Sequence, residues 1–376
     1  MKEFDLQEYL SDLAQICAID SGRGNSAGNH AVLDFFEQRY QALNLHTQRR
    51  FEAGNTDSPM LVVRNSEEEE IDVLLLAHMD TVFADGTAAE WPMTVDENGI
   101  GHAPGCVDCK GGCLSVYYLL RAMLEEGTCR FRFCVILNSD EERGSHHSQA
   151  VIEEMARKSK LCLVFEPGRA NDEFVGTRKG GANFDLQCHG IAAHSGVEPE
   201  KGASAILELA QWIPEIYKLT DYKAGTTVNV AYFNGGMRGG SVPDYAECAV
   251  AMRCLDPAVP GRLQTLLERL QKNPFDPRTS MEIIPKPCRP LMLPGAATEQ
   301  IFDVLREAGR ELDQTVEIIT TGGGSDGNFT AALGVPTLDG CGPCGGSLHT
   351  RDEFLKTGSV LPRLEIMERL LMKLFP

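Results

Sequence analysis

The chain has 376 residues, 43% hydrophobic and 24% charged, a globular composition long enough for two or three domains and unlike that of a disordered segment. Its formal net charge of −19 repels nucleic acid and anionic membrane surfaces, so neither is expected as a partner. The N-terminal MKEFDLQEYLSDL has no apolar signal core and no apolar run reaches about 18 residues, so a cytoplasmic protein without a spanning helix is expected, its 13 cysteines being reduced thiols or metal ligands.

Leu6, Tyr9, Leu10, Leu13 and Ile16 recur at helical spacing and predict a helix over 5–20, followed by a second over 29–43. Short apolar runs at 60–63 and 73–77 predict strands, and Glu67–Glu70 between them reads as a solvated turn. A helix over 111–126 stops at Gly127; a strand over 131–137, a helix over 151–157 and a strand over 161–165 follow. Strands alternating with helices imply a mainly parallel, covered sheet. Near Thr177 the rhythm changes to strand 183–188, helix 203–219, strands 227–233 and 246–253, helix 261–270 and strand 281–284. That βαββαβ order can form one small sheet with two helices on one face, a ferredoxin-like unit. After Pro290 the α/β rhythm returns with helix 298–308, strand 316–319, helix 326–333 and helix 359–374. The expected architecture is therefore α/β, a discontinuous domain of residues 1–178 and 291–376 with a second domain, 179–290, inserted.

Acids and histidines stand just after the expected strands, where open α/β sheets bind ligands. VLLLAHMDTVF places His78 and Asp80 at a strand end, a spacing that lets His78 face a metal while Asp80 supports its ring. APGCVDCKGG centres on Asp108 at a Gly-rich turn into a helix, and NSDEERGS sets Glu141 beside Glu142, two carboxylates that repel unless a cation neutralises them. VFEPG places Glu166 before a proline, and GGSLHTRDEF holds His349 in a Gly-rich loop. Taken singly these are ordinary core histidines, turn acids and solvated loops. Together, His78, Asp108, Glu142, Glu166 and His349 suit two zinc ions sharing one carboxylate, with Glu141 left as general base beside a bridging water.

These motifs, spread over nearly the whole chain, resemble the di-zinc metallopeptidase and aminoacylase family, which includes carboxypeptidase G-type enzymes, succinyl-diaminopimelate desuccinylase and peptidase T. The carboxypeptidase G-type, glutamate carboxypeptidase-like branch is the most similar. The resemblance implies that Asp108 bridges two Zn²⁺ (Co²⁺ or Mn²⁺ being alternatives), that His78 and Glu166 hold one and Glu142 and His349 the other, that Asp80 orients His78, and that Glu141 is the base. It also implies a cis peptide between Asp108 and Cys109 and a lid and dimerisation role for the inserted unit, hence a homodimer. Within that unit GIAAHSG sets His194 at the family's lid histidine, which polarises the scissile carbonyl, and CRPLM sets Arg289 at an arginine that binds substrate carboxylate. GGMRGGSVP departs from the family pattern, with Gly240 where an asparagine is usual; Ser241 or Asn234 is the nearest replacement.

The stretch GGGSDGNF precedes a helix, and the backbone N–H groups of Gly323, Gly324 and Ser325 are candidates for holding substrate; it lacks the Gly-Lys-Ser/Thr ending of a phosphate loop. His194 beside Ser195 does not make a serine triad, because sequence neighbours do not reach each other as nucleophile and base. The expected function is hydrolysis of the amide bond of a dipeptide or N-acyl amino acid with a free carboxylate, with a desuccinylase- or aminoacylase-like deacylase as the alternative. Cys106–Cys109 and Cys341–Cys344 are both C-x-x-C pairs, so a thiolate-metal or redox protein is a third reading, against small buried thiols. His146 and His147 read as solvated loop or helix-start residues.

Overall fold

Apart from Asp72, the residues of Ile71–Ala77 are apolar, and the whole strand Ile71–His78 is buried because helices cover both of its faces. The computed structural model describes all residues except 2, 3, 53, 54 and 238. In it this strand lies inside a six-stranded sheet ordered His46–Arg50, Met60–Arg64, Phe133–Asn138, Ile71–His78, Ser159–Val164, Thr337–Leu338. The last four run parallel and the first two pair antiparallel, the mainly parallel mixed sheet that the sequence implies. Alternation along each strand divides its side chains between two cores. Val73, Leu75, Val135 and Leu163 pack with the helices Leu6–Cys17, Ser26–Ala42, Lys110–Glu125, Ala296–Glu311 and Val360–Leu374. Leu74, Leu76, Ile136 and Val164 pack with Gln149–Ala156 and Gly327–Ala332. Strands buried on both faces read as unbroken apolar runs, which is why these were visible in the sequence.

The first helix ends at Cys17 rather than at residue 20, because residues 19 and 20 are used otherwise. The Ile19 carbonyl accepts from Lys110 Nζ at 2.7 Å, and the Asp20 carboxylate accepts the N–H groups of Gly86 and Ala88 at 2.7 and 2.8 Å. The strand expected at 316–319 forms at Ile318–Thr321, where the parallel partner Phe174–Arg178 sets its register. Four short strands, Gly345–Gly346, Phe354–Lys356, Ile100–His102 and Thr94–Val95, make a further antiparallel sheet.

The chain divides into two compact units, residues 1–178 with 292–376 and residues 179–291. The second is a four-stranded antiparallel sheet ordered Thr227–Gly235, Tyr245–Cys254, Gly180–His189, Ser280–Lys286, with helices Ala205–Tyr217 and Val259–Lys272, in the chain order βαββαβ. Alternate residues of Tyr245–Cys254 are buried, from Ala246 to Cys254, against Leu209, Trp212, Leu263 and Leu267. Trp212 donates its indole N–H to Glu208 at 2.9 Å, and the same carboxylate caps the N–H groups of Phe275 and Asp276. Among the described residues no helix is long and apolar enough to cross a membrane.

Candidate metal centre

Three parallel strands deliver side chains to one edge of the first sheet. Ile71–His78 ends on His78, Phe133–Asn138 leads into the short turn Glu141–Arg143, and Ser159–Val164 ends two residues before Glu166. His78 is buried, with Nδ1 3.0 Å from the Asp80 carbonyl oxygen, which turns Nε2 toward the acids. That Nε2 lies 3.1 Å from Asp108 Oδ1, 3.5 Å from Glu166 Oε1 and 4.0 Å from Glu141 Oε2. His349, whose side chain is 53% exposed, sets its Nε2 3.3 Å from Asp108 Oδ2 and 3.1 Å from Glu142 Oε2. The two oxygens of one carboxylate thus face two different histidines, each backed by a glutamate. His78, Asp108, Glu166 and Cys109 form one group able to hold a metal ion, and Asp108, Glu142 and His349 a second, the ligand atoms of each lying within 4.8 Å of one another.

The electrostatics fit a cation. Burial, with the negative charges of Glu141 and Asp108 behind it, pushes Glu166 well above the usual carboxylate range, and burial raises Glu142 too. Hydrogen bonds to Asp108 and Glu142 push His349 up to about 10. Burial opposes a charge on His78, yet Cys109 and the carboxylates of Asp108, Asp80 and Glu141 hold it well above its ordinary value. Burial also works against a charged Asp108, but hydrogen bonds from both histidines keep it below the carboxylate range. The cluster therefore retains protons in the space between its acids, and a divalent ion on neutral imidazoles and carboxylates would replace them.

The surroundings fix these groups. Asp80 accepts the backbone N–H groups of Glu141 and Glu142 at 3.2 and 3.0 Å. Glu353, buried four residues after His349, accepts those of Gly105, Val107 and Asp108 at 3.2, 3.0 and 3.2 Å. The Asp108–Cys109 peptide is cis, as the resemblance implied. Cys109 and Cys113 donate their thiols to the carbonyls of Phe165 and His78, both at 3.1 Å. Gly112, at the start of the helix Lys110–Glu125, comes so close to the strand end that a Cβ would fall 1.9 Å from the Phe165 carbonyl oxygen.

Sequence reasoning missed Glu353, Arg178 and Asp339. Arg178 is buried, paired with Asp339 at 2.6 and 2.9 Å, and its Nη2 stands 3.9 Å from Glu166 Oε2. Its Nη1 donates to the carbonyls of Gly323 and Gly324 at 3.2 and 3.3 Å, so the Gly-rich loop is tied to the acid cluster through one guanidinium. Gly323 and Gly324 are exposed. Ser325 differs from expectation: it is buried, its hydroxyl donates to Asp339, and its N–H is already given to Asn328 Oδ1 at 2.8 Å, leaving no amide for a substrate.

The cysteine pairs do not assemble. Among the described residues Cys109 alone of the four joins a potential ligand group, all 13 cysteines are free thiols, and burial raises Cys106, Cys109, Cys341 and Cys344. In the inserted unit His194 is exposed and its Nδ1 accepts the Gly196 N–H at 3.1 Å, which leaves the proton of a neutral ring on Nε2. The Gly240 carbonyl accepts the Ser195 N–H at 2.7 Å, and the Ser241 hydroxyl is turned onto the carbonyls of Ala193 and Val242. Arg289 is half-buried, and its carbonyl accepts the Gly181 N–H.

Over residues 74–373 the sequence matches the profile of peptidase family M20/M25/M40. The chain belongs to this family. It is 27% identical over 370 residues to carboxypeptidase G2 of Pseudomonas sp. (strain RS-16), covering 97% of this chain and 89% of that one. It is 25% identical over 306 residues to a succinyl-diaminopimelate desuccinylase of Pseudoalteromonas translucida (strain TAC 125), covering 74% and 76%. Its fold is similar to that of a tripeptidase from Staphylococcus aureus subsp. aureus Mu50, with TM-score 0.79 at 20% identity over 98% of both chains. It is similar also to the M20 family metallo-carboxypeptidase Sso-CP2 of Sulfolobus solfataricus, with TM-score 0.72 at 17% identity over 98% of this chain and 99% of that one. As a member of peptidase family M20/M25/M40 the protein is a metallopeptidase, acting on peptide or amide bonds.

Proposed function

We propose that the protein is a di-zinc hydrolase that cleaves the amide bond of a dipeptide or N-acyl amino acid carrying a free carboxylate, in the manner of a carboxypeptidase G-type enzyme. The observation that carries this reading is Asp108, whose two oxygens face His78 and His349 separately. His78 and Glu166 would hold one ion, His349 and Glu142 the other, and Asp108 both; Co²⁺ or Mn²⁺ suits the same donors. Bound zinc would supply Lewis acidity toward the carbonyl oxygen and lower the pKa of water.

The chain's own groups do the rest. Glu141 takes the proton of the attacking water and returns it to the leaving amine. Asp80 holds the ring of His78 and the turn that carries Glu141. The resemblance assigns His194 to the carbonyl oxygen and Arg289 to a substrate carboxylate, and the N–H groups of Gly323 and Gly324 are candidates for holding substrate. Glu141→Ala is expected to keep two zincs per chain and to lose about 10²–10⁴-fold in turnover. A variant that hydrolyses substrate at the wild-type rate overturns the assignment.

The similarity to a desuccinylase supports the second reading, an N-acyl amino acid deacylase, and a panel of dipeptides and N-acyl amino acids on zinc- or cobalt-loaded enzyme separates the two. We place the protein in the cytoplasm as a homodimer through the inserted unit. Among the described residues its strand Thr227–Gly235 lies at the edge of the sheet and exposes Tyr232 and Phe233. Sedimentation of the full chain tests this, a monomer at micromolar concentration being the contrary result.

A further inference from the structure

A cavity of about 670 Å³ lies in the larger of the two units, and none of the candidate metal ligands lines it. The volume falls within the roughly 300–1,000 Å³ of small-molecule sites. Its charges balance, Lys356 and Arg363 against Asp172 and Glu317. Two of the four are already engaged. The buried Arg363 guanidinium donates to the carbonyls of Gly340, Gly342 and Asp172, the last two at 3.1 Å, and lies 3.5 Å from the centroid of the Phe174 ring. The Asp172 carboxylate faces the Cys344 thiol.

The other two are available. Lys356 Nζ donates to the Ala170 carbonyl, which leaves two of its three donors, and it meets no carboxylate among the described residues. The exposed Glu317 carboxylate has no partner among the described residues. One cation and one anion thus line the same cavity without pairing with each other. Lys356 also has support. It stands just before Gly358 and Ser359, which line the cavity and lead into the helix Val360–Leu374. The Ser359 hydroxyl donates to the Lys356 carbonyl at 2.7 Å and does not cap that helix, so the positive end of the helix dipole lies beside the ammonium. Ile100 and Pro362, both half-buried, add apolar wall.

We propose that this cavity binds a free α-amino acid as its zwitterion, with the carboxylate on Lys356 and the start of the helix and the α-ammonium on Glu317. A simple anion or cation leaves one of the two charges unmatched, whereas a zwitterion answers both with charge-assisted hydrogen bonds. The side chain has the wall of Ile100 and Pro362 to lie against. The site is also joined to the metal centre. Lys356 ends the strand Phe354–Lys356, which directly follows Glu353, and Arg363 holds the Gly340 and Gly342 carbonyls in the stretch that runs on to His349. An occupant therefore bears on the segments that present Glu353 and His349.

The test screens the common L-amino acids against the zinc-loaded full chain by unfolding temperature, then titrates the best of them by calorimetry beside propionate and ethylamine, which each carry one of the two charges. At least one amino acid is expected to raise the unfolding temperature and to bind more tightly than either single-charge compound. Lys356→Gln and Glu317→Gln should each weaken its binding at least about tenfold, the loss of one hydrogen-bonded charge. Lys356→Arg should keep most of it. Thr315→Trp, which fills the cavity from an exposed position, should abolish it. No amino acid binding overturns the proposal, as does propionate or ethylamine binding equally well. Binding that Lys356→Gln, Glu317→Gln and Thr315→Trp all leave unchanged also overturns it, because the amino acid then sits elsewhere, as at the metal centre. None of these readouts needs turnover, so they decide for the cavity whether or not an amide is cleaved.

Discussion

Asp80 Oδ2 accepts the backbone N–H of Glu142 at 3.0 Å. The other oxygen accepts that of Glu141, and the same carboxylate lies 3.4 Å from His78 Nδ1. Asp80 is therefore more than a support for one imidazole, because it fastens the turn that carries two further acids to the strand end that carries His78. Asp80→Asn keeps the volume but turns an amide donor toward one of those N–H groups. Metal affinity is expected to fall about 10–100-fold, read by chelator competition. The apoprotein is expected to lose about 1.5–3 kcal/mol in urea unfolding. Unaltered metal binding would contradict this arrangement.

Glu353 acts on the shared carboxylate from the other side. Its three backbone contacts hold the loop that presents Asp108, and Asp108 serves both ligand groups. Glu353→Gln is expected to weaken metal binding at both ligand groups together, whereas Glu166→Ala is expected to weaken it at the first alone. Titration with Co²⁺, followed by its absorption bands, distinguishes a joint loss from a single one.

Arg178 and Asp339 form a buried pair. Arg178→Met leaves the buried Asp339 without its cationic partner, which costs about 3–5 kcal/mol, and releases the carbonyls of Gly323 and Gly324. The expected result is a large drop in unfolding free energy together with a raised KM. Arg178→Lys is expected to recover only part of the loss, since an ammonium cannot reproduce the fork.

A pH dependence follows from Asp72. Hydrogen bonds from Arg132, then from Lys160, overcome burial and hold its carboxyl well below the usual range. As pH falls through the carboxylate range the unfolded chain takes up a proton that the native state refuses, so the stabilisation is complete above about pH 4 and is lost below it. The difference in urea midpoint between wild type and Arg132→Met should be largest at neutral pH and shrink by pH 3. A difference that grows on acidification would reverse the sign argued here.

His78, the Glu141–Glu142 pair and Glu166 were legible as candidates because parallel strands end at one edge of a sheet, and three of those strands, 73–77, 131–137 and 161–165, stand out as apolar runs. The rest had no local signal. His46–Arg50 is an exposed edge strand with no apolar residue, and the strands beside His349 are two or three residues long. Arg178 and Asp339 lie 161 positions apart and Glu353 and Asp108 245 apart, so nothing in the sequence near one marks the other. Ser325 was misread because a glycine-rich turn looks like a row of free amides until Asn328 is seen to occupy one. The cysteines that first suggested metal are mostly apolar core positions, Cys134 and Cys162 on strands and Cys248 and Cys254 in the inserted sheet.

Gly112 gives the centre its dimensions. The helix that follows Asp108 rests against the strand end that precedes Glu166, and the contact is backbone to backbone, with no room for a methyl group. The gap across which His78, Asp108 and Glu166 face one another is thus gauged by a hydrogen atom rather than by the ligands. Adding one carbon there would act as a shim, moving Asp108 away from His78 and Glu166 without touching any of them, and would change the size of ion that the first group could accommodate.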